Sequence, residues 1–291
     1  MKVIITGAAG RLGSQTVKEL VQDGYEVVAT DRRENPHLPV KVEVVDLLDT
    51  AGVSAIIRGA EAVVHLGNHA GPWSRMQAQT FNENVAMDMN VFQAALETGA
   101  RKVVFASSMQ AMASEWVGDQ PDQQPLKVAY LPMDGNSPAN PTNTYALSKA
   151  VGEMMLRDFV ARPGVDCVAL RYPGMYHPHP DPAEMERHRH HHHHHHQHHA
   201  PSDVTIAQGF SHLSFPDASR LIDAILRSSL PGFRIYLPAI SRGRGDRVPE
   251  FIEKHYKDVP LRKPIQEIAS LIDISRITQE TGWSPRDVPG I

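Results

Sequence analysis

Three glycines follow the first apolar run of the chain, at positions 7, 10 and 13, and they constrain the fold more than any other feature. Residues 3–6 form a β-branched run, and residues 14–23 have the spacing of an amphipathic helix. A glycine turn between a strand and a helix lets the backbone approach an anion closely, because no Cβ atoms intervene and the helix N-terminus offers free N–H groups. The loop therefore predicts a pyrophosphate site formed by Gly7, Gly10, Arg11, Leu12 and Gly13.

Short apolar runs alternate with longer helical patterns through the first half of the chain. We predict strands at residues 3–6, 26–30, 41–45, 62–66, 102–106 and 167–171, with helices at 14–23, 50–58, 81–98 and 143–161. The second half is less regular, with helices predicted at 214–227, 249–255 and 274–281 and a strand at 234–237. This alternation predicts an α/β fold with a doubly wound, mostly parallel sheet of the Rossmann type and a small C-terminal portion.

Composition excludes several classes of protein. The net charge of −4 shows no excess of basic residues of the kind that binds nucleic acid or anionic lipid. No apolar stretch approaches the ~20 residues that a membrane span requires, and the N-terminus does not resemble a secretory signal. Cys167 is the only cysteine and lies in an apolar run, so we expect a buried thiol and a reducing, cytoplasmic environment.

An acidic residue at the end of the second strand completes the dinucleotide pattern. Asp31 stands where a carboxylate accepts hydrogen bonds from the adenosine ribose and repels a 2′-phosphate, which favours NAD over NADP. Arg32 and Arg33 follow it, and arginines at this point can instead hold a 2′-phosphate. We also expect cofactor contacts from three residues that follow the next strands, namely Asp46, Leu47 and Leu66. His65 closes an apolar strand, and we expect it to be structural.

Tyr145 and Lys149 form a Tyr-x-x-x-Lys pattern on a predicted helix, where the spacing places both side chains on one face. A nearby ammonium favours the phenolate, so we expect Lys149 to lower the pKa of Tyr145 toward the range useful for a base. A hydroxyl donor is needed beside the substrate oxygen. Ser107 and Ser108 follow the fifth strand, at the edge of the sheet where ligands bind.

With these residues the chain resembles the extended short-chain dehydrogenase/reductase family, in its NAD-dependent epimerase/dehydratase branch. The similarity covers nearly the whole chain, as a single domain over residues 1–291 in which 1–171 mainly bind NAD and 172–291 mainly bind substrate. By position, Ser108 is the better match to the family's catalytic hydroxyl. Asn84 matches an asparagine of the family's fourth helix, and Tyr172 lies in a segment that resembles the strand and loop beside the nicotinamide.

The resemblance implies hydride transfer between a sugar carbinol and NAD. Tyr145 removes the hydroxyl proton, and Ser108 stabilises the developing keto oxygen. Lys149 lowers the pKa of Tyr145 and binds the nicotinamide ribose. An epimerase returns the hydride, whereas a dehydrogenase releases a ketone or lactone together with NADH. The resemblance also implies a homodimer packed through the two long helices.

Departures from the family pattern separate the possible functions. Met109 and Gln110 stand where dehydratases carry an acid and a base, so dehydration is not expected. A nucleotide-sugar epimerase is the leading hypothesis. The compact length and residues 210–214, which are reminiscent of uronate dehydrogenases, favour a free-sugar or uronate dehydrogenase as the alternative. A catalytically silent NAD sensor is a third hypothesis, although such proteins usually lose the Tyr or the Lys.

Seven consecutive histidines, at positions 190–196, form the core of a His-rich segment over residues 188–199. Imidazoles bind Zn, Ni or Cu readily, but a functional metal site needs fixed ligand geometry that a flexible homopolymer does not supply. We therefore expect a surface segment without a specific role, and no metal site.

Overall fold

Seven parallel strands form the main sheet of the computed structural model, which describes residues 1–71, 76–112, 128–161, 164–178, 211–241 and 248–287. The order β3-β2-β1-β4-β5-β6-β9 has its reversal between β1 and β4, as in dinucleotide-binding sheets. The predicted Rossmann-type fold is therefore confirmed. The seven strands are β1 (Lys2–Thr6), β2 (Glu26–Asp31), β3 (Val42–Val44), β4 (Ala62–His65), β5 (Lys102–Ser108), β6 (Asp166–Tyr172) and β9 (Phe233–Tyr236).

Helices cover both faces of this sheet because its strands are apolar on both sides. Val3 and Ile5 face a core shared with α1 (Arg11–Gln22) and α5 (Phe215–Arg227). Ile4, between them, faces the opposite core. The helices of that second layer are α2 (Thr50–Ile57), α3 (Gln77–Glu97) and α4 (Thr144–Phe159). Strand β9 and helix α5 come from the half assigned mainly to substrate binding, yet they extend the main sheet and its helical layer.

A second, three-stranded sheet was not predicted. It consists of β7 (Gly174–Tyr176), β8 (Ser211–Ser214) and β10 (Ile240–Ser241), with β8 parallel to β7 and antiparallel to β10. Its strands have the sequences GMY, SHLS and IS, which contain no β-branched run of the kind that marked most strands of the main sheet. Nearby, α6 (Val248–His255) contributes to a third apolar cluster, and α7 (Ser275–Thr281) follows along the chain.

Two helices begin earlier than the sequence indicated. Helix α1 begins at Arg11, because the Ser14 N–H bonds the Gly10 carbonyl at 2.8 Å and Gly10 serves as the N-cap. Arg11, Leu12 and Gly13 therefore form its first turn rather than a preceding loop. Helix α3 begins at Gln77, four residues before the predicted start.

No helix in the described ranges is long and apolar enough to span a bilayer. The same ranges hold no group of three or more His, Cys, Asp or Glu side chains placed to bind a metal ion. The His-rich segment 188–199 and residue 210 lie outside the described residues.

Candidate active site

The carboxyl ends of five strands meet at one edge of the main sheet. Thr6 ends β1 and pairs with His65 at the end of β4, while Ser108 ends β5 opposite Tyr172 at the end of β6. Asp31 ends the neighbouring strand β2. Ligands of doubly wound sheets bind in the crevice outside these ends, so the fold brings the predicted residues to one region.

The glycine loop packs so tightly that side chains would not fit at Gly7 or Gly13. Gly7 has a φ of +69°, and a Cβ atom there would lie 2.7 Å from the Leu66 backbone. A Cβ atom on Gly13 would lie 2.0 Å from the Gly7 carbonyl oxygen. Gly10 bonds the same carbonyl through its N–H at 3.0 Å. The loop is thus a close-packed turn that places the first N–H groups of α1 at the sheet edge.

Asp31 holds the end of β2 against this loop. Its carboxylate accepts hydrogen bonds from the Ala9 N–H at 3.0 Å and from the Arg33 N–H at 3.2 Å. Asp31 lines the cleft, and so do Arg32 and Arg33, both of which are exposed. The structure therefore brings the carboxylate and the arginines to the same end of the cleft.

A cleft of about 450 Å³ runs along the loop and the strand ends. Six predicted cofactor residues line it: Gly7, Gly10, Asp31, Asp46, Leu47 and Leu66. The lining residues that sequence reasoning missed include Asn68, His69, Glu83 and Met87. The first two follow β4 and the others lie on α3, where spacing alone carried no signal for a ligand contact.

Four other predicted cofactor residues, Arg11, Leu12, Asn84 and Tyr172, are not among the residues that line this cleft. Asn84 is fully buried, with its side-chain oxygen accepting from the His69 N–H at 2.8 Å and its side-chain nitrogen donating to Ser148 Oγ at 3.1 Å. Leu12 and Tyr172 are buried in the apolar core. The Arg11 guanidinium lies 5.4 Å from the centre of the Phe215 ring.

Tyr145 and Lys149 lie in the first two turns of α4, whose N-cap Asn143 accepts a hydrogen bond from the Ala146 N–H at 2.8 Å. Lys149 is buried, and its Nζ donates to Asn68 Oδ1 at 2.5 Å and to the Ala106 carbonyl at 2.8 Å. The ammonium lies 5.8 Å from the centre of the Tyr145 ring.

Burial has the largest influence on the pKa values of both Lys149 and Tyr145. It lowers the pKa of Lys149 to about 8, while Asp88 and Glu153 act to raise that pKa. Burial also raises the pKa of Tyr145, against hydrogen bonds from Ser108 and the Gly71 N–H that lower it. The expectation that Lys149 brings the Tyr145 pKa down is therefore not met, because burial outweighs the hydrogen bonds that lower this pKa.

The two adjacent serines have different surroundings. Ser107 Oγ donates to Glu153 Oε1 at 2.6 Å, in a buried cluster that also contains Arg171. Ser108 Oγ accepts from the Gln110 N–H at 3.2 Å and bonds Tyr145. Ser108 is thus the hydroxyl that the structure places beside Tyr145.

The cleft fits an extended dinucleotide. Its glycine loop has no room for Cβ atoms at Gly7 and Gly13, the N-terminus of α1 adjoins that loop, and the Asp31 carboxylate stands where a ribose diol would lie. Within the described residues, two of the three Lys149 N–H groups donate to Asn68 and Ala106.

Comparison with known proteins agrees with this geometry. The sequence model of the NAD-dependent epimerase/dehydratase family matches residues 3–228. UDP-glucose 4-epimerase of Mycolicibacterium smegmatis is 31% identical over 193 residues, or 61% of this chain and 57% of that protein. Uronate dehydrogenase of Pseudomonas putida is 26% identical over 175 residues, or 58% of this chain and 59% of that protein. The aligned part of the chain thus spans less than two thirds of either relative.

The fold matches solved structures over almost its full length. A UDP-glucose 4-epimerase from Bifidobacterium longum, in complex with NAD+ and UDP, superimposes with a TM-score of 0.68 at 19% identity. The match covers 98% of this chain and 94% of that one. At this identity the likeness is one of fold.

Proposed function

Because the chain belongs to the NAD-dependent epimerase/dehydratase family, we propose that it is an NAD-dependent sugar-modifying oxidoreductase. The observation that carries the proposal is the pairing of Tyr145 with the Ser108 hydroxyl at the carboxyl edge of the sheet, one helical turn from Lys149. NAD, when bound, supplies the hydride acceptor and a cationic ring.

Each side chain has a distinct role in the proposed reaction. Tyr145 takes the proton of the substrate hydroxyl, because its phenol oxygen is the group that can exchange a proton there. Ser108 donates a hydrogen bond to the oxygen as it becomes a ketone. Lys149 binds the nicotinamide ribose, and its charge acts against the burial that raises the Tyr145 pKa.

Epimerisation of a nucleotide sugar is the leading form of the proposal. It is supported by the similarity to epimerases, both in sequence and in fold. Met109 is buried, and Gln110 accepts a hydrogen bond from Asn143 at 3.1 Å, so neither offers the acid and base of a dehydratase. Oxidation of a free sugar or uronic acid is the second candidate, supported by the uronate dehydrogenase relative.

A homodimer and a cytoplasmic location are part of the same proposal. Met89 on α3 and Leu147 and Met154 on α4 are 42%, 42% and 70% exposed, which supports pairing through these two helices. The buried, unpaired Cys167 suits a reducing compartment. We further propose that residues 1–291 act as one domain, with substrate bound mainly by residues 172–291.

The test is incubation of the purified protein with NAD and a panel of UDP-sugars, aldoses and uronic acids, read by NADH absorbance and proton NMR. A changed sugar without net NADH supports an epimerase, and steady NADH formation supports a dehydrogenase. Binding of NAD without turnover across the panel would favour the silent sensor.

The Tyr145→Phe variant tests the catalytic assignment. We expect it to lose about 10²–10⁴-fold in turnover while keeping its affinity for NAD, because only the proton-transfer group is removed. Tyr25→Phe is the matched control, since Tyr25 bonds Asp223 away from the cleft. Near-normal turnover of Tyr145→Phe would contradict the assignment.

A further inference from the structure

The Lys149 ammonium is connected to a buried carboxylate through one amide side chain. Asn68 accepts from Lys149 through Oδ1 at 2.5 Å and donates through Nδ2 to Asp88 Oδ1 at 2.9 Å. An amide has one accepting end and one donating end, so these partners determine its orientation. Asp88 lies on α3 and is fully buried.

His65 also contacts Asp88, but its hydrogen bonds identify it as a neutral ring. Thr6 Oγ1 accepts from the N–H groups of Leu66 and Gly67, each at 3.2 Å, so its own proton is directed to His65 Nδ1 at 2.7 Å. The ring proton is therefore on Nε2, which donates to Asp88 Oδ1 at 2.9 Å. His65 supplies a hydrogen bond to Asp88 and no positive charge.

The other buried carboxylate near Lys149 already has a cation. Glu153 pairs with Arg171 at 2.7 Å, and both are buried. Within the described ranges, no Lys or Arg nitrogen lies within 4.0 Å of Asp88, and its Oδ2 has no hydrogen-bond partner. A buried carboxylate without a counter-charge is strongly destabilising. Lys149, one amide away, is the cation that the arrangement provides.

We propose that Asp88 is the counter-ion of Lys149 and that Asn68, placed between them, directs the ammonium toward the cofactor ribose. This inference rests on the proposed role of Lys149 in binding the ribose and assisting Tyr145. Asp88 and Asn68 are positioning residues, because they act on the reaction through Lys149.

The charge of Asp88 affects two groups in a predictable direction. It raises the pKa of Lys149, which burial otherwise lowers to about 8, and it also raises the pKa of Tyr145. Among the described residues, the other charged group that raises the Lys149 pKa is Glu153, which pairs with Arg171. Removing the Asp88 charge should therefore lower the pKa of both Lys149 and Tyr145.

Asp88→Asn is the informative variant, because its Oδ1 can still accept from His65 and Asn68 while the charge is lost. NAD affinity is measured by calorimetry across the neutral and alkaline range, and tyrosinate formation by ultraviolet difference spectra. Affinity should fall as Lys149 loses its proton. In Asp88→Asn we expect the loss of NAD affinity to occur about one pH unit lower than in the wild type, and the Tyr145 titration to shift by the same amount. A purely structural defect would weaken NAD binding equally at every pH.

Asn68→Ala tests the connecting amide separately. It removes an acceptor from Lys149 but leaves the Asp88 charge, so the alkaline fall in NAD affinity should move to lower pH while the Tyr145 titration stays in place. Thr80→Val is the matched control on α3, since Thr80 is fully buried and its hydroxyl has no partner within the described residues. It should leave both titrations unchanged.

The outcomes separate the inference from the function on which it rests. If Lys149→Ala binds NAD with unchanged affinity and pH dependence, the proposed role of Lys149 is wrong. If Lys149→Ala loses affinity but Asp88→Asn titrates as the wild type does, the counter-ion proposal alone is overturned. Should Asp88→Asn fail to fold, an unchanged NAD titration in Asn68→Ala would overturn the proposal.

Discussion

The Ser107 hydroxyl donates a 2.6 Å hydrogen bond to Glu153 Oε1, and this bond directs the Ser107 side chain into the protein interior. Its neighbour Ser108 remains beside Tyr145. We expect Ser108→Ala to lower turnover by about 10²–10³-fold, because it removes a donor to the developing keto oxygen. Ser107→Ala should keep turnover but lower the free energy of unfolding by about 1–3 kcal/mol, because one hydrogen bond to a buried carboxylate is lost. Kinetics and denaturant titration of both variants distinguish the two roles; the reverse pattern would assign the catalysis to Ser107.

Asp31 should determine the choice between NAD and NADP. Asp31→Asn keeps an oxygen that accepts from the Ala9 N–H but loses the charge that repels a 2′-phosphate, with Arg32 and Arg33 nearby. We expect the ratio of NADP to NAD affinity to rise by at least about tenfold, as measured by calorimetry. Glu34→Gln removes an exposed charge close by and should leave the ratio unchanged. An unaltered ratio in Asp31→Asn would show that the arginines decide cofactor choice.

The glycine loop should tolerate a methyl group at one position and not at another. The Cβ atom of Gly13→Ala would lie 2.0 Å from the Gly7 carbonyl oxygen, whereas that of Gly10→Ala would lie 3.1 Å from the same atom. We expect Gly13→Ala to weaken NAD binding more than about tenfold and to lower the free energy of unfolding by about 1–3 kcal/mol. Gly10→Ala should have the smaller effect on both. Equal effects in calorimetry and thermal unfolding would argue against close packing of this loop.

The proposed dimer should depend on the exposed apolar residues of α3 and α4. Met154 is 70% exposed, and Met154→Glu would bury a charge at an interface between two copies. We expect a shift toward monomer in analytical ultracentrifugation, with a dissociation constant raised at least about tenfold. Val44→Glu, on the edge strand β3, changes a 56% exposed apolar residue and should leave the association unchanged. A monomeric wild-type protein would overturn the proposed dimer.

Features that depend on local spacing could be predicted from the amino-acid sequence alone. The glycines at 7, 10 and 13 between a strand and a helix predicted the turn, and the four-residue spacing of Tyr145 and Lys149 predicted a shared helical face. Alternating strands and helices predicted the doubly wound sheet, because a parallel sheet requires crossover helices. Each of these signals lies within a few residues, or repeats along the chain.

Contacts between residues far apart in the chain depend on the folded arrangement of the helices and strands. Asn84 accepts a hydrogen bond from the His69 N–H, and Asn68 links Lys149 to Asp88. Each of these hydrogen bonds joins residues 15 or more positions apart in the chain. The resemblance already favoured Ser108 over Ser107 by position, and the structure adds that the Ser107 hydroxyl is bound by Glu153 of α4. The pKa of Tyr145 was mispredicted because burial, which raises it, depends on packing around the whole site rather than on the spacing to Lys149.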